Sequence, residues 1–308
     1  MKKDVVLAVL ITFCLSVTLF SLVPSKSATG DYDPWADIDD DGKIDIKDVS
    51  YVARMFGTNG IAINKTELKR AVELQQLLEH ILNKNYTDWY NGLVGYWKLD
   101  EGTGNMTVDS SGNGNDGILI NDPTWIDGKY GKALNLNGTN YVEVADSESL
   151  EVQNFTLEAW IYMTERPYEQ GNAVAIIHKY TTDAEASGIG YMLLFQNPTS
   201  TDDNLVLASG YPMAGRRILV QYNSTIDLSL NEWHHVVGTF DGYTATLYID
   251  GIPRKSMTYP EHIGILYWKS IQLRLGAGMS EGLIDNAMIY NRTLSAEEVV
   301  LHYLLPPL

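Results

Sequence analysis

The chain has 308 residues, enough for one large domain or two smaller ones, and its 45% hydrophobic residues can form a sizeable core. A formal net charge of -17 and a pI near 4.6 argue against nucleic acid and anionic membranes as partners, because phosphate groups attract Lys and Arg. Calcium, neutral glycans and basic proteins remain compatible with this charge.

The N-terminal residues have the composition of a targeting segment. Two lysines precede an apolar run at residues 5–23, and Ser25 and Ser27 fit the -3 and -1 positions of a signal-peptidase site. As a helix the same run would span about 28 Å, close to a bilayer core, which also permits a retained anchor. Residues 1–27 are therefore predicted to be a signal peptide or an N-terminal membrane anchor, and the protein is expected outside the cell or at its surface. Any membrane contact is expected only through residues 5–23, if they are not cleaved.

Residues 28–60 contain the most sharply spaced motif, "DIDDDGKIDIKD" at 37–48. Carboxylates this close repel one another unless a cation lies between them, and calcium favours six to eight oxygen ligands. Gly42 permits the sharp turn at loop position 6. The predicted calcium ligands are Asp37, Asp39, Asp41, Asp45 and Asp48, together with the backbone carbonyl of Lys43.

This loop and the residues after it resemble one dockerin-type EF-hand calcium repeat. The resemblance implies Ca²⁺ as the cofactor and a cohesin-like protein as a partner. Dockerins carry two such repeats and this chain shows one, so the resemblance favours calcium binding over cohesin docking. A helical spacer is predicted next, at 61–90, where Asn64 and Glu67 form a capping box before an apolar stripe.

From Gly92 onward the pattern changes to short runs rich in Val, Ile, Tyr and Trp, separated by Gly, Asn and Asp turns. The predicted strands lie at 93–99, 133–137, 141–145, 155–163, 173–180, 190–196, 205–210, 217–223, 232–242, 244–251, 271–277 and 283–291. Asp241-Gly242 is the predicted turn of one hairpin. A final helix is predicted to begin at Ser295, with Glu298 completing a capping box. The predicted fold class is mainly β, an antiparallel sandwich over 91–305, with a small α-helical module before it.

Five motifs in this region, in the same order, resemble the laminin-G-like, concanavalin A-like jelly roll. They are "GYWKLDEGTGNMTVDSSGNGNDG" at 95–117, "YGKALNLNGTNYVEV" at 130–144, "FTLEAWIY" at 155–162, "EWHHVVGTFDGYTATLYIDG" at 232–251 and "GLIDNAMIYNRTLSAEEV" at 282–299. The resemblance implies two face-to-face antiparallel sheets and a role in glycan recognition, in adhesion or as a noncatalytic module. It also implies a structural calcium, for which the candidate ligands are Asp285, Asp109, Asn113 and Asp116.

A catalytic role is not expected. The string nearest to a glycosidase Glu-x-Asp-x-Glu motif, at Glu143–Glu148, has the wrong spacing, and Glu158 and Asp250 stand without partners. His234 and His235 are adjacent on a strand and therefore face opposite sides, so one is expected to be packed and the other exposed.

Glycan binding needs aromatic rings that stack on sugars. The candidate platforms are predicted to lie in loops: Trp125, Tyr168, Tyr211, Tyr243, Tyr259 and Trp268. Trp97, Trp160 and Trp233 lie in strand motifs and are predicted to belong to the core.

Seven Asn-x-Ser/Thr sequons favour export, with an archaeal cell surface preferred over a bacterial exterior. They begin at Asn64, Asn85, Asn105, Asn137, Asn154, Asn223 and Asn291. The expected protein is an exported, calcium-binding, noncatalytic surface protein that recognises carbohydrate or a cell-surface protein. Two other roles remain open: a structural or interaction protein of the envelope, and an accessory subunit of a polysaccharide-degrading assembly.

Overall fold

The computed structural model describes residues 90–166, 173–180, 190–196, 204–211, 216–225, 227–265, 267, 270–279 and 281–305. The N-terminal segment, the aspartate loop and, apart from Tyr90, the helical spacer lie outside the described residues. Within the described part, no helix is both long and apolar enough to cross a membrane.

The described residues form sixteen strands, a short 3₁₀ turn at Glu148–Leu150 and one α-helix. In chain order the elements are β1 (Leu93–Trp97), β2 (Met106–Thr107), β3 (Gly117–Ile120), β4 (Thr124–Asp127), β5 (Lys132–Leu136), β6 (Tyr141–Val144), β7 (Phe155–Met163), β8 (Val174–Tyr180), β9 (Gly190–Gln196), β10 (Asn204–Tyr211), β11 (Arg216–Asn223), β12 (Trp233–Phe240), β13 (Thr244–Ile249), β14 (Ile252–Thr258), β15 (Leu273–Leu275), β16 (Gly282–Tyr290) and α1 (Ala296–Leu304).

The strands form two eight-stranded sheets in which every described pair is antiparallel. Sheet A has the order β14-β13-β12-β7-β16-β5-β4, and β1 also pairs with β16. Sheet B has the order β11-β10-β9-β8-β15-β6-β3-β2. The predicted antiparallel sandwich of the jelly-roll type is confirmed.

Alternation along the strands creates the core between the two sheets. On β7, Leu157 and Ile161 face inward and are fully buried, whereas Glu158 and Trp160 face outward. Gly238 lies in an inward position of β12, where an added Cβ would come within 2.7 Å of a Leu207 side-chain carbon on sheet B. Glycine at this position therefore allows the two sheets to approach closely.

The C-terminal helix α1 covers the outer face of sheet A. Its predicted capping box is confirmed, because the Ser295 side chain accepts the Glu298 N–H and the Glu298 side chain accepts the Ser295 N–H. Val299 on the helix packs in an apolar cluster with Met288 and Tyr290 of β16. Both faces of the central strands of sheet A are consequently buried.

Four strands are present that the sequence does not predict: β2, β3, β4 and β14. They are short or lie near sheet edges, and β14, "IPRKSMT", lacks an alternation of buried and exposed residues. Trp125 consequently lies in an edge strand and not in a loop, as had been predicted. Trp97 and Trp160 are buried as predicted, but Trp233 is only half-buried and contacts Tyr162 on the outer face.

Candidate functional site

A cleft of about 370 Å³ lies beside β4. The Trp125 ring forms part of its wall, and the indole N–H donates to the Gly104 carbonyl at 3.3 Å. The ring also packs against the core cluster, so it is held in place before any ligand arrives. The full lining is Gly102, Gly104, Asn105, Leu119, Asp122, Pro123, Thr124 and Trp125.

A tight turn between β3 and β4 shapes this cleft. Asn121 and Asp122 both have positive φ angles, 58° and 51°, in the left-handed region that Asn and Asp tolerate better than most residues. The Asn121 amide donates to the Thr139 carbonyl at 2.8 Å and holds the turn. An aromatic ring, a carboxylate and the Asn105 amide therefore converge on one concavity, a combination suited to a hydroxyl-rich ligand.

The other predicted platforms do not line the cleft. Tyr243 is 50% exposed in the β12–β13 turn, where its ring meets the edge of His262. Tyr259 packs against the core, and its hydroxyl accepts the Leu219 N–H at 2.8 Å. Tyr211 ends β10 and does not lie in a loop, as had been predicted, while Tyr168 and Trp268 lie outside the described residues.

Asp109, one of the predicted calcium ligands, is fully engaged by hydrogen-bond donors. Its carboxylate accepts the N–H groups of Tyr96, Ser111 and Asn115 at 2.9 Å each, and the Ser111 hydroxyl at 2.8 Å. Asp116 accepts the Asp109 N–H at 2.8 Å, and the Asn113 amide donates to the Leu93 carbonyl at 3.3 Å. These three residues therefore tie their glycine-rich loop together and to β1.

Asp285 belongs to a separate network on β16. Its carboxylate accepts the Tyr130 N–H at 3.0 Å and the Asn286 amide at 2.7 Å, which anchors the turn before β5. Burial raises the pKa of Asp285 to about 7, with a smaller contribution from Asp100. Across the described part of the chain, no three His, Cys, Asp or Glu side chains are grouped to hold a metal. Asp109 and Asp116 thus lie in the glycine-rich loop and Asp285 in the β16 network, and each of the three carboxylates accepts at least one N–H group.

Glu158 has two histidine partners that the sequence analysis missed. His302 Nδ1 on α1 lies 2.9 and 3.0 Å from the two carboxylate oxygens, and His235 Nε2 lies 3.6 Å from one of them. Burial raises the pKa of Glu158, but His302 and His235 outweigh it and lower the value to about 2. The prediction that one of the adjacent histidines would be exposed is wrong, because α1 covers His235 while His234 faces the sandwich interior.

Asp250 also has a partner, within a chain of contacts arranged like a serine hydrolase triad. Asp250 Oδ2 lies 2.8 Å from His234 Nδ1, and His234 Nε2 lies 3.0 Å from the Ser229 hydroxyl. That hydroxyl, however, donates to the Glu232 carboxylate at 2.6 Å. The single proton of the Ser229 hydroxyl is therefore not directed to His234. We interpret the arrangement as structural, since Asp250 also accepts the His235 N–H.

The five sequon asparagines in the described residues are all exposed, and Asn64 and Asn85 lie outside them. The five are Asn105, Asn137, Asn154, Asn223 and Asn291. Asn105 also lines the cleft, so a glycan attached there would compete with a ligand for the same space.

Comparison with solved structures identifies the same fold in domains of other proteins. The binding domain of Paraclostridial Mosquitocidal Protein 1 has a TM-score of 0.54 and 23% identity, covering 69% of this chain and 52% of that one. Domain 4 of AbnA, a GH43 extracellular arabinanase from Geobacillus stearothermophilus, in complex with arabinotriose, has a TM-score of 0.50 and 19% identity, covering 68% and 96%. The binding domain of botulinum neurotoxin DC in complex with SialylT has a TM-score of 0.52 and 14% identity, covering 70% and 51%.

Because the sequence identities are 23% or less, the likeness to these structures shows the fold alone. This chain spans about half the length of the two toxin domains. No curated protein matches the chain at the sequence level. Residues 136–300 match the Laminin_G_3 family. Because this match covers more than half of the chain, the protein belongs to the concanavalin A-like lectin/glucanases superfamily.

Proposed function

We propose that the chain is an exported, calcium-binding surface protein whose sandwich recognises carbohydrate without hydrolysing it. The observation that carries this proposal is the cleft, where the Trp125 ring is held beside Asp122 and Asn105. Stacking on an aromatic face combined with nearby hydrogen-bonding groups suits a sugar ring. Complexes of the same fold with arabinotriose and with SialylT support a glycan as the ligand.

The acidic groups of the sandwich support a noncatalytic role. Glu158 is buried against His302, and Asp285 and Asp109 accept N–H groups of the backbone. Glycoside hydrolysis needs two carboxyl groups facing one bond across a substrate-sized gap. These carboxylates instead stabilise loops and strands.

Calorimetric titration of the full chain in millimolar calcium tests the proposal. The probes are arabinotriose, SialylT and a panel of neutral polysaccharides. We expect Trp125→Ala to weaken binding about tenfold, which is equivalent to a loss of ~1.4 kcal/mol of binding free energy. Ile126→Ala is the matched control, because Ile126 is an exposed neighbour on the same strand but does not line the cleft.

Unchanged binding by the Trp125→Ala variant would contradict the assignment of the cleft. Release of reducing sugar by the purified protein would contradict the noncatalytic role. Co-purification with an envelope protein, without a glycan signal, would instead support a role in protein interaction.

The calcium proposal rests on the spacing of residues 37–48 and requires its own test. At free calcium of 100 times Kd, one site adds ~2.7 kcal/mol to the stability of its module. Because the Asp37→Ala/Asp41→Ala variant lacks two predicted ligands, calorimetric titration with calcium should show binding heat for the wild type and none for the variant. Equal calcium uptake by both proteins would rule out the loop as the site.

A further inference from the structure

The cleft beside β4 combines buried apolar groups with an exposed polar rim. Leu119 and Pro123 are buried, and the Trp125 ring is half-buried. Asp122 and Asn105 also line the cleft, and both are exposed. At about 370 Å³ the cleft is near the lower end of small-molecule sites, which occupy roughly 300–1,000 Å³. It therefore suits a short saccharide or the end of a longer one.

Asp122 carries the only charge among the described lining residues. None of the described residues donates a hydrogen bond to its carboxylate or forms an ion pair with it. By contrast, the Asp127 carboxylate lies 2.6 Å from Lys132 Nζ, and Glu101 accepts the Val108 N–H at 2.8 Å. The Asp122 oxygens are therefore available to a ligand, whereas these two acidic neighbours have partners within the protein.

The turn that contains Asp122 does not require a carboxylate. Asp122 has a φ angle of 51°, in the left-handed region that glycine and asparagine also adopt. The side chain that holds the turn is that of Asn121, whose amide donates to the Thr139 carbonyl. The charge at position 122 therefore needs an explanation other than backbone conformation, and Asp122→Asn removes it while keeping the shape of the side chain.

The surroundings of the cleft favour a cationic ligand over an anionic one. The segments that supply the lining, 100–105 and 119–127, contain no Lys or Arg and four carboxylates: Asp100, Glu101, Asp122 and Asp127. Lys132, whose Cγ would lie 3.8 Å from a Cβ added at Gly102, is paired with Asp127. An ammonium group is attracted both by a carboxylate and by the face of an indole ring. An anionic sugar would instead be repelled.

We infer that the cleft selects a short saccharide with a free amino group, such as a glucosamine oligomer, and that Asp122 sets this specificity. The sugar ring stacks on Trp125, its ammonium group pairs with Asp122, and the Asn105 amide binds a hydroxyl group. A neutral sugar makes the stacking contact but leaves Asp122 without a cationic partner. The inference rests on the proposal that the cleft binds carbohydrate, and it adds the class of sugar.

Titration calorimetry of the full chain with three matched trisaccharides tests this inference, below the pKa of the sugar amine. The three share a β-linked glucose backbone and differ at the second carbon, which bears an amino group in the glucosamine trimer, an acetamido group in the N-acetylglucosamine trimer and a hydroxyl group in cellotriose. We expect the wild type to bind the glucosamine trimer at least about tenfold more tightly than the other two. High salt should reduce this preference, because it screens exposed charges. This comparison needs no variant.

Two variants and a peptide assign the preference to Asp122 and to a sugar. Asp122→Asn should bind the glucosamine trimer at least about tenfold more weakly than the wild type, and cellotriose within about threefold of it. Asp127→Asn is the matched control, because it removes a carboxylate of the same strand that does not line the cleft, and it should keep the preference. Trilysine offers ammonium groups without a sugar ring and should bind at least about tenfold more weakly than the glucosamine trimer.

The outcomes separate this inference from the proposed function. Equal binding of the glucosamine trimer and cellotriose by the wild type overturns the selectivity and leaves carbohydrate binding intact. A preference that persists in Asp122→Asn overturns the role of Asp122, and trilysine binding as tight as that of the glucosamine trimer overturns the assignment to a saccharide. Binding of arabinotriose without binding of any matched trisaccharide overturns the inference as well. A wild-type protein that binds no saccharide overturns the proposed function itself, and the inference with it.

Discussion

The buried Glu158–His302 pair provides a quantitative test of how α1 is held on sheet A. Both side chains are at most 3% exposed, and His302 Nδ1 lies within hydrogen-bond distance of both carboxylate oxygens. A pKa lowered from an ordinary 4.5 to about 2 corresponds to about 3 kcal/mol. Removing one partner of a buried pair typically costs about 3–5 kcal/mol, because the other charge is left uncompensated.

We therefore expect His302→Ala to lower the melting temperature at pH 7 by about 6–20 °C, at roughly 2–4 °C per kcal/mol for a domain of this size. Because the folded pKa of Glu158 is depressed, the contribution of this group is present above about pH 4.5 and is lost as the pH falls toward 2. The difference between wild type and variant should accordingly shrink between pH 5 and pH 2. Near-UV circular dichroism follows the transition, because Trp97 and Trp160 are buried in the sandwich.

Two further variants separate this pairing from a general loss of packing. His262→Ala removes an exposed imidazole and should change the free energy of unfolding by less than about 0.5 kcal/mol. Glu158→Leu/His302→Leu removes both partners of the contact together and should cost clearly less than the sum of the two single replacements. Additive losses in the double variant would refute the reasoning.

Three other predictions concern the α1 cap, the buried Asp285 and the Ser229 hydroxyl. Ser295→Ala should cost about 1 kcal/mol in urea unfolding through loss of the α1 cap, and Ser295→Thr should retain most of the stability. The pKa of Asp285 is raised from 3.8 to about 7, so its contribution to stability is present below about pH 4 and lost as the pH rises through 7. Unfolding at pH 5 and pH 8 should show this decline in wild type and a flatter profile in Asp285→Asn. Finally, a fluorophosphonate probe should leave Ser229 unlabelled, because its hydroxyl donates to Glu232; covalent labelling of Ser229 would contradict the structural interpretation.

Local patterns in the sequence were sufficient to predict twelve of the sixteen described strands and the start of α1. The alternation in "FTLEAWIYM" predicted a strand at 155–163, which β7 matches, and Ser295 with Glu298 predicted where α1 begins. These signals are local, since side-chain period and cap chemistry involve residues only a few positions apart. Strands such as β14 were missed because they lie at an edge and bury too little to require alternation.

Only the tertiary structure decided which residues come together as neighbours. Glu158, His235 and His302 lie on two strands and a helix far apart in the chain, and strand order brings them together. Likewise, alternation assigns Glu143, Arg274 and His178 each to a sheet face, but only the register of β6, β15 and β8 makes them neighbours. The physical reason is that strand periodicity specifies which side of a sheet a residue occupies, while its neighbours depend on backbone pairing between segments far apart in the chain.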